Sequence, residues 1–171
     1  HGTRFDLYFP SVESDILTTT PTQSSGQPQR GTETILLVED EPSVRTLVRD
    51  ELRKLGYRVV EAKNGVEACL LATQQIGSLQ LLLTDVVMPG MGGRELAQHL
   101  SVIKPDLRTL FISGYMDDVG IMAGQEEGMS SFLQKPFTPE VLARAVRTLL
   151  DASTPSDKTG TSPSTAQPIP R

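Results

Sequence analysis

The chain has little cysteine, no long apolar stretch and no excess of basic charge. Its single cysteine, Cys69, excludes a disulfide framework and leaves too few thiolates for a metal site. No apolar run approaches the ~20 residues of a transmembrane helix, and no signal sequence opens the chain. The net charge of -5 argues against a nucleic-acid surface, which needs clustered Lys and Arg. We therefore expect a cytoplasmic protein without direct membrane contact, although a longer parent chain could carry an anchor.

Two segments have the composition of disordered chain. Residues 11–33 are dominated by Ser, Thr, Gln, Pro and Gly, and residues 152–171 repeat this pattern with four prolines. Such segments bury too little apolar surface to offset the entropy lost on ordering. We predict a flexible linker over 11–33, one folded domain over 34–151, and a disordered tail over 152–171.

Within the predicted domain, apolar stretches alternate with helical periodicity. Residues 34–38 read TILLV, which is typical of a strand covered on both faces, and Pro42 then opens a helix that stops before Gly56. The same alternation predicts strands over 57–62, 79–84, 108–113 and 131–134, and helices over 65–75, 92–103, 118–127 and from Pro139 behind the N-cap Thr138. Five strands each followed by a helix imply a doubly wound α/β domain, with a parallel sheet and helices on both faces.

Polar residues follow four of the predicted strands. Glu39 and Asp40 follow the first strand, Asp85 the third, Ser113 ends the fourth, and Lys135 follows the fifth. In a doubly wound fold these strand ends meet at one edge. Carboxylates crowded there repel one another unless a cation neutralises them, so a hard, oxygen-seeking metal such as Mg²⁺ is implied. One carboxylate could then attack a phosphoryl group while the metal, the lysine and the hydroxyl stabilise charge on the transferring oxygens.

Four motifs give these strand ends a specific resemblance. The stretches ILLVEDEP, TDVVMPGMGG, FISGY and FLQKPF, in this order, resemble the receiver domain of two-component signalling over roughly residues 34–150. The resemblance implies a flavodoxin-like sheet with strand order 2-1-3-4-5. It also implies Mg²⁺, or Mn²⁺ in its place, as the cofactor.

The resemblance assigns the phosphoacceptor and its metal site. Asp85 matches the residue that takes the phosphoryl group. Asp40 matches the direct metal ligand, Glu39 the acidic partner that usually reaches the metal through water, and Val87 the position whose backbone carbonyl binds the metal.

The resemblance also assigns the residues that respond to phosphorylation. Ser113 and Lys135 match the switch hydroxyl and the ammonium that contact the phosphoryl oxygens, and Phe132 matches an aromatic residue that turns inward on activation. Gly114, Tyr115 and Val87 fall at positions that tune the site. Bulky residues at Val87 and Tyr115 should restrict the hydrolytic water and lengthen the phosphoryl lifetime. The Lys135–Pro136 bond is often cis in relatives.

The implied function is a phosphorelay step. A phosphohistidine on a kinase domain, in the same chain or a separate one, or on a histidine phosphotransfer protein would donate its phosphoryl group to Asp85. The domain would thus catalyse its own phosphorylation and dephosphorylation, and a two-state rearrangement would follow.

The first ten residues carry a second, shorter resemblance. HGTRFDLYFP resembles the final strand of a histidine-kinase ATP-binding domain, so residues 1–10 would be the remnant of that strand and the parent chain a hybrid histidine kinase.

A stand-alone response regulator and a receiver used only for docking are the alternatives. An aspartyl-phosphate phosphatase would carry its nucleophile after the first strand rather than the third. A nucleotide-binding module would need a Gly-rich loop where Glu39 and Asp40 lie.

Overall fold

The structure is a computed structural model, and it describes residues 30–114 and 129–152. The strands are β1 (Thr34–Val38), β2 (Arg58–Ala62), β3 (Leu79–Asp85), β4 (Arg108–Ser113) and β5 (Ser130–Gln134), and the helices are α1 (Pro42–Lys54), α2 (Gly65–Gln75), α3 (Gly93–Ile103) and α4 (Pro139–Asp151). The helix predicted over 118–127 lies outside the described residues, as do residues 1–10 and most of the predicted linker and tail.

The five strands form one parallel sheet in the order β2-β1-β3-β4-β5. The predicted fold class and strand order are thus confirmed. Strand β3 runs one residue further than predicted because Asp85 still pairs with Ile112 of β4. Strand β5 begins one residue earlier because Ser130 pairs with Thr109.

The apolar core has two layers, one on each face of the sheet. Consecutive side chains of a strand point to opposite faces, so Ile35 and Leu37 of β1 pack in one layer and Leu36 and Val38 in the other. Helices α1 and α4 cover the first layer, and α2 and α3 cover the second. All five residues of β1 are buried, which explains its continuous apolar sequence.

Local signals fix the starts of two helices. The Asn64 side chain accepts a hydrogen bond from the Glu67 N–H at 2.9 Å and caps α2. Thr138 accepts from the Val141 N–H at 3.4 Å, directly before Pro139, as the sequence predicted for the last helix. No helix among the described residues is long and apolar enough to cross a bilayer.

Candidate phosphoacceptor and metal site

Three carboxylates meet at the carboxyl edge of the sheet. One oxygen each from Glu39, Asp40 and Asp85 lies within 4.8 Å of the others. Glu39 is 2% exposed, the Asp85 side chain is 14% exposed, and Asp40 lies at the surface. The cluster therefore grades from a buried carboxylate to one open to solvent. Such a set of hard oxygen donors suits Mg²⁺, which binds through one or two carboxylates and keeps several waters.

Lys135 bridges two of these carboxylates. Its Nζ atom lies 2.6 Å from Oδ2 of Asp85 and 2.9 Å from Oε2 of Glu39. Lys135 directly follows Gln134, the last residue of β5, and its N–H donates to the Ser113 carbonyl oxygen at 2.7 Å. Its peptide bond to Pro136 is cis, as the sequence led us to expect. The continuation of β5 along β4 thus carries the ammonium to the acidic cluster.

Burial and nearby charges shift the pKa values of Glu39 and Lys135. Burial raises the pKa of Glu39 above its ordinary value, and the Asp85 charge adds to the rise, although the ammonium of Lys135 opposes it. Burial alone would lower the pKa of Lys135, but its hydrogen bonds to Asp85 and Glu39 outweigh burial and raise it. Lys135 therefore stays charged and neutralises part of the cluster.

The backbone around Asp85 holds its carboxylate at the end of β3. The Val87 N–H donates to Oδ1 of Asp85 at 3.1 Å, so one carboxylate oxygen faces Val87 and the other faces Lys135. Helix α3 begins so close by that a Cβ atom on Gly93 would clash with the Asp85 carbonyl oxygen. The glycine at this position allows the helix to start against the strand end.

The predicted switch residues lie on β4 and β5. Ser113 is the last residue of β4 and is 2% exposed. Phe132 of β5 is half-buried and stacks on Phe111 of β4, with ring centroids 5.0 Å apart and planes 18° from parallel. Sequence reasoning did not single out Phe111, although the predicted strand order places the fourth strand beside the fifth, which carries Phe132.

The predicted tuning residues are placed only in part. Val87 is 61% exposed, and Gly114 is exposed, with no atom of the described residues within 4 Å of the place where a Cβ would lie. Tyr115 lies outside the described residues.

Another residue that sequence reasoning missed is Arg45 of α1, whose guanidinium bonds to the backbone of Glu39 and Asp40. Its position one turn into α1 places it near the acidic turn, but no local signal in the sequence shows that its guanidinium turns back to these carbonyls.

Comparison with known proteins agrees with the fold. The sequence model of the response regulator receiver domain matches residues 35–147. The chain belongs to this family. Receiver domains are phosphoacceptors of two-component systems, and they bind Mg²⁺ at an acidic pocket of this kind.

Two curated relatives show different contexts for such a domain. The sensor kinase CckA of Brucella abortus is 38% identical over 121 residues, which cover 71% of this chain but 13% of CckA. The sporulation initiation phosphotransferase F of Bacillus subtilis is 31% identical over 69% of this chain and 94% of its own length.

Two solved structures resemble this one. The receiver domain of the hybrid histidine kinase CckA is 37% identical with a TM-score of 0.60, over 68% of this chain and 98% of that domain. The response regulator TrrA of Thermotoga maritima, solved in complex with Mg²⁺-BeF, is 29% identical with a TM-score of 0.57, over 69% of this chain and 99% of that one.

Proposed function

We propose that this receiver domain accepts a phosphoryl group on Asp85 from a phosphohistidine. The observation that carries the proposal is the set of contacts around Asp85, in which Lys135 contacts one carboxylate oxygen and Glu39 and Asp40 lie within 4.8 Å. The Asp85 side chain is 14% exposed, so a donor can reach it from solvent. An accessible carboxylate with a fixed ammonium beside it suits nucleophilic attack on phosphorus.

The step is a direct displacement. An Asp85 oxygen forms a bond to phosphorus while the bond between phosphorus and the histidine nitrogen breaks, and the electron pair of that bond returns to the imidazole ring. Lys135 offsets negative charge on the phosphoryl oxygens during transfer. Glu39 and Asp40 would hold Mg²⁺, or Mn²⁺ in its place, together with Asp85 and the Val87 carbonyl. When bound, the metal supplies positive charge next to the same oxygens.

The response to phosphorylation would begin at Ser113 and Phe132. Ser113 closes β4 at the same edge as Asp85, so its hydroxyl is suited to bind a phosphoryl oxygen. Phe132 is half-buried against Phe111, and an inward turn of its ring would change the surface of β5 and of α4 beside it. The exposed Val87 side chain and Tyr115, together with Gly114, would tune access of the hydrolytic water.

We further propose that the parent protein is a hybrid histidine kinase. The similarity to CckA, named a sensor kinase, supports this context, as does the resemblance of residues 1–10 to a kinase strand. Residues 11–33 would then be the linker and residues 152–171 a tail. The phosphoryl donor would be the kinase's own phosphohistidine domain or a histidine phosphotransfer protein.

The similarity to the sporulation phosphotransferase over almost its whole length supports the alternative, a stand-alone regulator. The coding sequence before residue 1 distinguishes the two, because only a hybrid kinase encodes an ATP-binding domain there.

Intact-protein mass spectrometry tests the acceptor. The chain is incubated with Mg²⁺ and acetyl phosphate, alongside Asp85→Asn and the matched control Asp106→Asn. Asp106 pairs with Lys104 just before β4 begins, so it lies near the amino ends of the strands, away from Asp85 at their carboxyl ends. We expect the wild type and the Asp106 variant to gain one phosphoryl group and the Asp85 variant to gain none.

An adduct that persists in Asp85→Asn would overturn the assignment of the acceptor. If the wild type takes no phosphoryl group from acetyl phosphate or from a phosphorylated histidine phosphotransfer domain, while its fold is intact and Mg²⁺ binds, the domain serves for docking instead.

A further inference from the structure

The turn between β1 and α1 carries two of the three clustered carboxylates, and a small number of hydrogen bonds among the described residues hold its backbone. Within the turn, the Glu41 N–H donates to Oε1 of Glu39 at 3.4 Å. The Glu39 N–H donates to the Ala62 carbonyl oxygen at 3.3 Å, which ties the start of the turn to β2. At the other end, Glu41 is the N-cap of α1 but its side chain makes no capping bond. It accepts instead from the Ser43 hydroxyl at 2.8 Å, and Pro42 has no N–H to donate.

Arg45 supplies a support from within α1. Its Nη1 atom donates to the Glu39 carbonyl oxygen at 2.6 Å and lies 3.4 Å from the Asp40 carbonyl oxygen. These two carbonyls belong to consecutive peptide groups, so one guanidinium fixes the backbone that carries both side chains. Both bonds go to carbonyl oxygens, which leaves the carboxylates of Glu39 and Asp40 available to the cluster.

Chemistry explains why an arginine suits this place. The guanidinium is planar, always charged and presents several donors in a rigid arrangement, whereas an ammonium is a single point charge on a flexible stem. The positive charge of the half-buried Arg45 would by itself oppose a cation in the cluster, so any support that Arg45 gives to Mg²⁺ binding comes from holding the backbone. Mutation of a group that orients metal ligands typically lowers metal affinity by about 10–100-fold.

We propose that Arg45 is a positioning residue for the metal and phosphoryl site, acting through the backbone of Glu39 and Asp40. This inference rests on the proposed function, because it requires these carboxylates to bind Mg²⁺. Arg45 holds the two carboxylates in the arrangement that receives the cation, and it does not touch the reacting atoms. Its removal should weaken Mg²⁺ binding more than it slows the chemical step.

The test compares Arg45→Gln and Arg45→Lys with Arg49→Gln in the whole chain. Arg49 lies one turn further along α1 and bonds to the side chains of Asp50 and Glu61, so it controls for the loss of an α1 guanidinium. Calorimetry gives the Mg²⁺ dissociation constant, and mass spectrometry gives the initial rate of phosphorylation by acetyl phosphate over a range of Mg²⁺ concentrations. Thermal unfolding measures the stability of each variant.

We expect Arg45→Gln to raise the Mg²⁺ dissociation constant about tenfold, with the phosphorylation rate largely restored at saturating Mg²⁺. Arg45→Lys should fall between Arg45→Gln and the wild type, and Arg49→Gln should match the wild type. A purely structural role would lower the melting temperature but leave the dissociation constant of the folded protein unchanged.

An Arg45→Gln protein that is folded and binds Mg²⁺ as the wild type does would overturn the inference. So would an equal loss in Arg49→Gln. If the wild type itself binds no Mg²⁺, the proposed function fails instead, and the two failures are thereby distinguished.

Discussion

The Nζ atom of Lys135 lies 2.6 Å from Oδ2 of Asp85 at the carboxyl edge of the sheet. The same ammonium lies 2.9 Å from Oε2 of Glu39, so one positive charge serves two carboxylates. It can stabilise charge on a phosphoryl group, but it also competes with a cation for the same oxygens. The two effects have opposite consequences for metal binding and for phosphoryl transfer.

Replacing Lys135 by glutamine should separate these effects. We expect the phosphorylation rate at saturating Mg²⁺ to fall about 100-fold, the usual loss when one fixed donor to a developing negative charge is removed. Mg²⁺ should bind more tightly, because the cluster loses its competing charge. Calorimetry and the rate of adduct formation measure both, with Lys104→Gln as the control at the opposite edge. Weaker Mg²⁺ binding in the Lys135 variant would contradict this account of the contact.

Mg²⁺ should stabilise the fold through Asp40. A ligand that binds only the folded state at 100 times its dissociation constant adds about 2.7 kcal/mol to the free energy of unfolding. Asp40→Asn should lose most of this gain, whereas Glu41→Gln should keep it, because Glu41 is exposed, bonds to Ser43 and lies outside the cluster. Thermal unfolding with Mg²⁺ and with EDTA measures the difference. Equal Mg²⁺-dependent shifts in both variants would exclude Asp40 as a ligand.

The Phe111–Phe132 stack should contribute measurable coupling. The rings are 5.0 Å apart on paired residues of β4 and β5, and such pairs add about 1 kcal/mol beyond the area they bury. We expect a double-mutant cycle with Phe111→Leu and Phe132→Leu, measured by urea unfolding, to give a coupling of that size. Strictly additive losses would show that the two rings contribute only by burial.

The order of the elements could be read from the sequence because each carries a strong local signal. The buried run of β1 and the apolar spacing along α1 follow directly from which face each residue covers. The strand-end rule then brought Asp85, Glu39 and Lys135 to one edge without any coordinates.

Contacts between distant or unremarkable residues were harder to predict. Nothing in the local sequence indicates that the Arg45 guanidinium turns back to the carbonyls of Glu39 and Asp40, because an arginine on a helix usually faces solvent. The pairing of Glu33 with Arg147 joins residues far apart in the chain, and it depends on how α4 lies against the sheet. Such contacts are fixed by the packing of elements, which local periodicity does not encode.

The Glu33–Arg147 pair predicts a pH dependence at the edge opposite Asp85. Oε1 of Glu33, just before β1, lies 2.9 Å from Nη1 of Arg147 in α4, and the side chains are 25% and 16% exposed. Partial burial alone would raise the pKa of Glu33, but backbone N–H groups and the Arg147 guanidinium outweigh it and lower the pKa. A lowered folded-state pKa means that the stabilisation is present above the unfolded-state pKa and is lost as the pH falls through the folded-state value.

A double-mutant cycle with Glu33→Gln and Arg147→Gln, measured by urea unfolding at several pH values, tests this dependence. We expect a coupling of about 0.5–1 kcal/mol at neutral pH, which should decline as the pH falls through the lowered folded-state pKa and Glu33 is protonated. Asp151 also bonds to Arg147 at 2.7 Å, but it is present in every member of the cycle, so the coupling reports the Glu33 contact. A coupling that stays constant from neutral to strongly acidic pH would mean that the pair holds α4 to the start of β1 by packing rather than by charge.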